Sequence, residues 1–297
     1  MSIHASTLHF LLAINKKKKI HGNFLSIGKQ TVYMSIDKIN KILKTNNQNL
    51  NYLDLQKFKI DTKTRNKNLV NIDDESLIKL FANVNYDALD KSSYESANKL
   101  LDLNSTRLPK KFYSKYDFIY DGGTLDNLFS PSNAIINFSK MLNNKGRILH
   151  SNMSGAWPGA YSSFSCEWFY SFYSNNNYKN VQVFLLVPFR GKWPNPDYYV
   201  YLYNPYFTRK KNYNPLEAIK KFDIRGSTVI CYAEKNNLST NIRIPIQSHY
   251  IEREDFDWRK KSKLYQKNKL NNLFVNKISS QKKPFLSNHY KLLGTLI

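Results

Sequence analysis

Residues 116–149, YDFIYDGGTLDNLFSPSNAIINFSKMLNNKGRIL, decide how this chain folds. Tyr116–Tyr120 is an apolar run of strand length, stopped by Asp121-Gly122-Gly123. Ser130 followed by Pro131 reads as a helix start, because serine suits the N-cap and proline the first helical position. Ala134, Ile135, Phe138, Met141 and Leu142 then recur at helical spacing and form one apolar face. Asn144-Lys145-Gly146 is turn chemistry, and Arg147–His150 opens another strand. Strand, helix, turn and strand in so short a stretch make a parallel crossover unit. The expected fold class is α/β.

Working upstream, Leu100–Leu103 and Val84–Leu89 are short apolar runs, the first containing Asp102 and the second ending at Asp90. Asn23–Ile27 is a further short run, closed by Gly28, and reads as a buried strand. Residues 2–19 read as an N-terminal helix, and Ile36–Leu43 and Asp74–Phe81 as helical pieces. Downstream, Phe164–Tyr173 reads as a helix, while Val181–Val187 and Ser227–Ala233 read as strands. Between those strands, around 188–225, Trp193, Pro194, Pro196 and Pro205 mark a long irregular insert. The expectation is one domain over 1–240 followed by a polar, basic C-terminal extension over 241–297.

Composition narrows the function. The chain has 297 residues, 45 Lys+Arg against 22 Asp+Glu, and 41% hydrophobic residues, enough for a sizeable core. Two cysteines, Cys166 and Cys231, exclude a disulfide framework and a cysteine-rich zinc site. Leu8–Ile14 is far short of the ~20 apolar residues of a membrane span. The lysine run 16–19 follows it, the wrong order for a secretory signal, so a cytoplasmic location is expected. A net charge of +23 is compatible with a nucleic-acid partner. Yet lysine, asparagine, isoleucine, tyrosine and phenylalanine are the residues of A+T-rich codons, and coding bias would spread such charge evenly. Isolated histidines (His4, His9, His21, His249, His289) do not suggest a metal site.

Ligands of open α/β sheets bind beyond the carboxyl ends of the strands, where strand order reverses. Gly28, Asp90, Asp102 and Asp121 each stand at such an end, and each alone could simply form a turn. As an ordered set they suggest a nucleoside-type cofactor. The stretch 116–149 resembles the fourth strand, helix and fifth strand of class I S-adenosylmethionine-dependent methyltransferases. It is most similar to a bacterial subgroup whose fourth strand ends in an Asp-Gly-Gly-Thr-Leu-Glu-His type sequence. FLSIGKQTV (24–32), ALDKSSYESANKLLDLN (88–104) and HSNMSGAWPGAYSSFSCEWFYSFY (150–173) resemble other segments of that subgroup, in the right order. Together the matches cover roughly half the chain.

The resemblance implies a Rossmann-like class I methyltransferase fold, a mostly parallel central sheet flanked by helices. It implies S-adenosyl-L-methionine as cofactor, with Gly28 beneath it and Asp90 on the ribose hydroxyls. Asp102 and Leu103 would flank the adenine, and Asp121 and Gly122 would lie beside the methionine part. The chain departs from the pattern at three places. Gly28 stands alone before Lys29-Gln30, Asp126-Asn127 replaces Glu-His, and Ala160 is nearest to where a histidine is expected.

Methyl transfer to a hydroxyl gains from a general base with a pKa near the working pH. His150, at the end of the fifth strand, is the expected base, against the alternative of a histidine packed at a strand end. Glu167 is a weaker candidate. The late members of the aromatic cluster Trp157–Tyr173 read as core, while Trp157 and Tyr161 could stack on a sugar ring or base. The expected activity is O-methylation of a saccharide or small molecule. The alternatives are RNA methylation through the basic C-terminal segment, or a non-catalytic member of the fold that binds a polyanion.

Overall fold

The computed structural model describes residues 2–46, 58–61, 71–93, 95–155, 158–205, 226–246, 263, 265, 286 and 289–296. In chain order the elements are β1 (Ser2–Ile3), α1 (Ala5–Lys17), β2 (His21–Ile27), β3 (Thr31–Val32) and α2 (Ile36–Thr45). Next come α3 (Asp74–Lys79), β4 (Asn83–Asp90), β5 (Lys99–Leu100), β6 (Tyr116–Asp121), α4 (Pro131–Met141) and β7 (Leu142–Met153). The last are α5 (Cys166–Asn175), β8 (Lys179–Arg190), β9 (Asp197–Tyr203), β10 (Thr228–Glu234) and β11 (Tyr290–Leu296).

Among the described residues nine strands form one sheet, in the order β11-β9-β8-β10-β7-β6-β2-β4-β5. From β5 to β7 every neighbouring pair is parallel, and from β7 to β11 every pair is antiparallel. Only β9 and β10 therefore run against the other strands. This is the Rossmann-like α/β sheet the sequence predicts. Strand order reverses between β2 and β6, which places the switch point there.

Each end of the crossover 116–149 has a local cause. Pro131 starts α4 as expected, but Ser130 makes no side-chain cap and instead donates its N–H to Asn104 Oδ1 at 2.9 Å. The expected turn at 144–146 is an irregularity inside β7, where the register against β6 jumps from Leu142 to Arg147 and Lys145 takes φ +68; a side chain on Gly146 would meet the Tyr116 carbonyl at 2.9 Å. Arg147, buried, donates to the carbonyls of Lys18 and Lys19 at 2.7 and 2.6 Å, fixing the chain just past α1. The core is continuous: Phe24, Phe118, Phe138, Ile148, Phe169, Val183 and Val229 all lie within one buried cluster. Helix α5 packs on β8 and β10, α4 on β7, and α1 on α2.

Three expectations are corrected by the sheet. The N-terminal helix begins only at Ala5, because Ser2–Ile3 pairs with Thr31–Val32 as a small parallel ladder. Within the expected irregular insert, Asp197–Tyr203 is a regular strand, its Tyr198 and Val200–Tyr203 buried against β8. In the expected basic extension, Tyr290–Leu296 forms the sheet edge on β9. Residues 206–225 and most of 247–288, including the greater part of that extension, lie outside the described residues. No helix among the described residues is long and apolar enough to cross a membrane.

Candidate functional site

The turn after β2 is built around a glycine and a buried acid. Gly28 sits at φ +76, a conformation side chains resist, and its N–H reaches the Leu89 carbonyl of β4 at 2.6 Å. Asp74, wholly buried, accepts from the Gln30 N–H at 2.8 Å and from the Tyr86 hydroxyl at 2.7 Å. Lys29 bridges Asp73 and Asp74, and Gln30 Nε2 returns to the Ile27 carbonyl at 2.7 Å. Burial pushes the Asp74 carboxyl up, opposed by the charge of Lys29. This network fixes residues 28–30 beneath the open edge of the sheet.

That edge holds a crevice of about 630 Å³ over the carboxyl ends of β2, β4 and β5. Gly28, Asp90, Asp102 and Leu103 all line it, so four strand-end residues chosen from sequence meet in one place. Asp90 Oδ1 accepts the Lys91 N–H at 2.6 Å. Asp102 accepts the backbone N–H of Asn104 at 2.9 Å and faces Lys91 at 3.1 Å, and these hold its carboxyl below the usual range. Asn104 ties this loop to α4, since its carbonyl accepts from Asn133 at 2.8 Å. Leu89, Leu101, Leu103 and Leu128 give the crevice an apolar wall.

A second, smaller chamber of about 250 Å³ adjoins it, with Tyr33 and Asn127 common to both. Gly122 lines this chamber rather than the crevice, and any side chain there would collide with Gln30 and Tyr120. The wall also contains His4, Asp126, Asn152 and Trp193. Tyr33 stacks on His4 at 5.5 Å and meets Trp193 edge-on at 4.8 Å. The N-terminal ladder closes this side: the Ser2 N–H donates to the Gly122 carbonyl at 3.0 Å, and the Tyr120 hydroxyl to the Ser2 carbonyl at 2.9 Å. Burial lowers the His4 imidazole to about 4, so it is neutral at pH 7.

Asp121 and His150 are Cα partners on β6 and β7, yet neither lines the crevice or the chamber. Both are 0% exposed. Asp121 accepts from Asn152 at 2.6 Å and from the Thr124 N–H at 3.0 Å, and pairs with His150 Nδ1 at 2.8 Å. His150 Nε2 is joined to the Tyr173 hydroxyl at 2.6 Å, with Phe169 packed on the ring. Helix α5 thus closes over the imidazole, and an acceptor hydroxyl cannot reach either nitrogen without displacing Asp121 or Tyr173. The geometry is that of the packed alternative. Glu167 is engaged too, bonded to Ser171 at 2.8 Å and to Tyr203.

Tyr161 is 71% exposed and meets Phe129, 81% exposed, edge-on at 6.0 Å. Its neighbour Ala160 lines the chamber. Trp157 lies outside the described residues. Sequence reading missed Asp126 and Asn152 as site residues. Asp126 stood in the quoted stretch only as a departure, whereas its depth is set by the 3-10 turn Leu125–Asn127. His4 was missed because β1 was read as helix.

No protein-family model matches this chain, and no curated protein matches it. Solved structures are similar to it at low identity. One is an S-adenosylmethionine-dependent methyltransferase of Thermotoga maritima, described as a possible histamine N-methyltransferase; identity is 12%, coverage 78% of this chain and 91% of that one, TM-score 0.35. Another is an S-adenosylmethionine-dependent methyltransferase of Archaeoglobus fulgidus, at 9% identity, 78% and 94% coverage, and TM-score 0.40. A third is the 1,6-didemethyltoxoflavin N1-methyltransferase of Burkholderia thailandensis, at 9% identity, 78% and 79% coverage, and TM-score 0.30. Likenesses this distant carry nothing about the activity or substrate of this chain.

Proposed function

We propose that this chain is an S-adenosylmethionine-dependent methyltransferase, of the subgroup marked by the Asp-Gly-Gly-Thr-Leu motif, acting on an oxygen of a saccharide or small molecule. One observation carries the reading: Gly28, Asp90, Asp102 and Leu103, from three strand ends, line one crevice at the switch point. Its volume of about 630 Å³ lies within the ~300–1,000 Å³ usual for small-ligand sites.

The residues present fit the cofactor. A carboxylate at Asp90 suits two ribose hydroxyls, and the leucine wall around Leu103 suits a flat base, with Asp102 at its edge. The bare backbone at Gly28 permits close approach in the crevice, whereas Gly122 faces the chamber and leaves room for Gln30 and Tyr120. S-adenosylmethionine supplies an activated methyl group on a sulfonium, so the protein's task is to align an acceptor with it. Asp121, itself paired with His150, serves this indirectly by holding Thr124 and Asn152 in place. Titration with S-adenosylhomocysteine tests the reading. Saturable binding of one molecule per chain is expected, and a folded chain that binds none overturns it.

A further inference from the structure

The smaller chamber differs from the rest of the surface in charge. On a chain of net charge +23, the described residues lining it include no lysine or arginine. What it offers instead is hydrogen-bond acceptors and a flat aromatic wall. Asp126 lies in that wall at 5% exposure. Burial, and then the Asp121 carboxylate behind it, push its carboxyl up to about 6, where it is both ionised at neutral pH and able to take a proton. Asn152, 1% exposed, spends its Nδ2 on Asp121, which fixes the orientation of the amide. Its Oδ1 has no hydrogen-bond partner among the described residues. A buried acceptor left unpaired is costly and calls for a donor. Tyr33, His4 and Trp193 supply ring surfaces of the kind that pack against the face of a sugar.

We propose that this chamber receives the methyl acceptor as an uncharged polyhydroxy compound about one ring in size, with Asp126 as the catalytic base and Asn152 Oδ1 accepting a second hydroxyl. The inference rests on the methyltransferase reading above. The acceptor oxygen forms the new bond to the methyl carbon, the carbon–sulfur bond leaves its electron pair on sulfur, and the hydroxyl proton passes to Asp126. An anionic acceptor is disfavoured because it would set its charge against Asp126. A cationic acceptor is disfavoured because its charge beside Asp126 would lower the pKa of that carboxyl and weaken it as a base.

The test uses the full chain and methyl-labelled S-adenosylmethionine. A small-molecule cell extract, separated by ion exchange into neutral, anionic and cationic fractions, provides the acceptors. Label is expected in the neutral fraction. Asp126→Asn is expected to lower that rate by about 100-fold or more while binding S-adenosylhomocysteine as the parent does. Label confined to a charged fraction overturns the inference, as does a variant within a few-fold of the parent. Parent that binds S-adenosylhomocysteine yet labels nothing neutral overturns it too. Folded parent that does not bind S-adenosylhomocysteine removes the methyltransferase reading itself. The fraction comparison uses parent protein alone, so it does not depend on how the variant folds.

Discussion

The crevice and the chamber share Tyr33 and Asn127 but are built in opposite ways. The crevice is made by strand ends: its glycine and acids sit where parallel strands stop, and backbone order alone brings them together. The chamber is made by packing, from an N-terminal ladder, a 3-10 turn and the ends of β7 and β10. Parallel strand ends can place a cofactor without reference to the acceptor. A wall assembled from distant loops is where an acceptor is chosen, and it is free to vary. If so, substitutions should affect one cavity and spare the other.

The harshest test removes what stands behind both cavities. Asp121→Ala leaves the Thr124 N–H, Asn152 and His150 without their shared buried acceptor. A loss of about 3–5 kcal/mol in unfolding free energy is expected from chemical denaturation, because breaking a buried polar cluster strands its other members. A variant nearly as stable as the parent would mean that the cluster is replaceable by packing. Next in size is Asp90→Ala, which should weaken S-adenosylhomocysteine binding by about 2–4 kcal/mol through the loss of its hydrogen bonds to the ribose hydroxyls.

His150→Gln sharpens the comparison from within the core. It should cost about 1–3 kcal/mol of stability by leaving Asp121 or Tyr173 short of a partner, and change turnover by only a few-fold. A 100-fold loss of turnover in a folded variant would restore His150 as the proton acceptor. The smallest effect is expected at the rim. Tyr161→Ala should shift stability by no more than ~0.5 kcal/mol, since the ring is 71% exposed. A larger loss would show that the Phe129–Tyr161 contact braces the loop.

How far the sequence could be read follows the same division. Strands β2, β4 and β6 announced themselves as short apolar runs closed by Gly28, Asp90 and Asp121, and β7 as the run that follows a turn; β2, β6 and β7 are buried along most of their length, as parallel central strands are. With them and the run Leu100–Leu103 came four residues of the crevice, Gly28, Asp90, Asp102 and Leu103. Strand β9, DYYVYLY, was hidden by flanking prolines and by tyrosines whose burial only the sheet decides. Strand β11 was hidden by its lysine, glycine and threonine, tolerable at an edge. The chamber was the least legible, since Ser2, His4, Asp126 and Asn152 are far apart in sequence and none has a local pattern. The burial of His150 was illegible for a related reason. Position at a strand end is visible in sequence, but the helix α5 that covers it with Phe169 and Tyr173 is a tertiary fact.

The claim that two adjoining cavities divide cofactor from acceptor is tested most directly by one calorimetric series. S-adenosylhomocysteine is titrated into the parent, Asp90→Ala and Asp126→Asn under identical conditions. The account predicts one site per chain in the parent, affinity about 30- to 700-fold weaker in Asp90→Ala, and unchanged affinity in Asp126→Asn. Equal weakening by both substitutions, or undiminished binding in a folded Asp90→Ala, would contradict it.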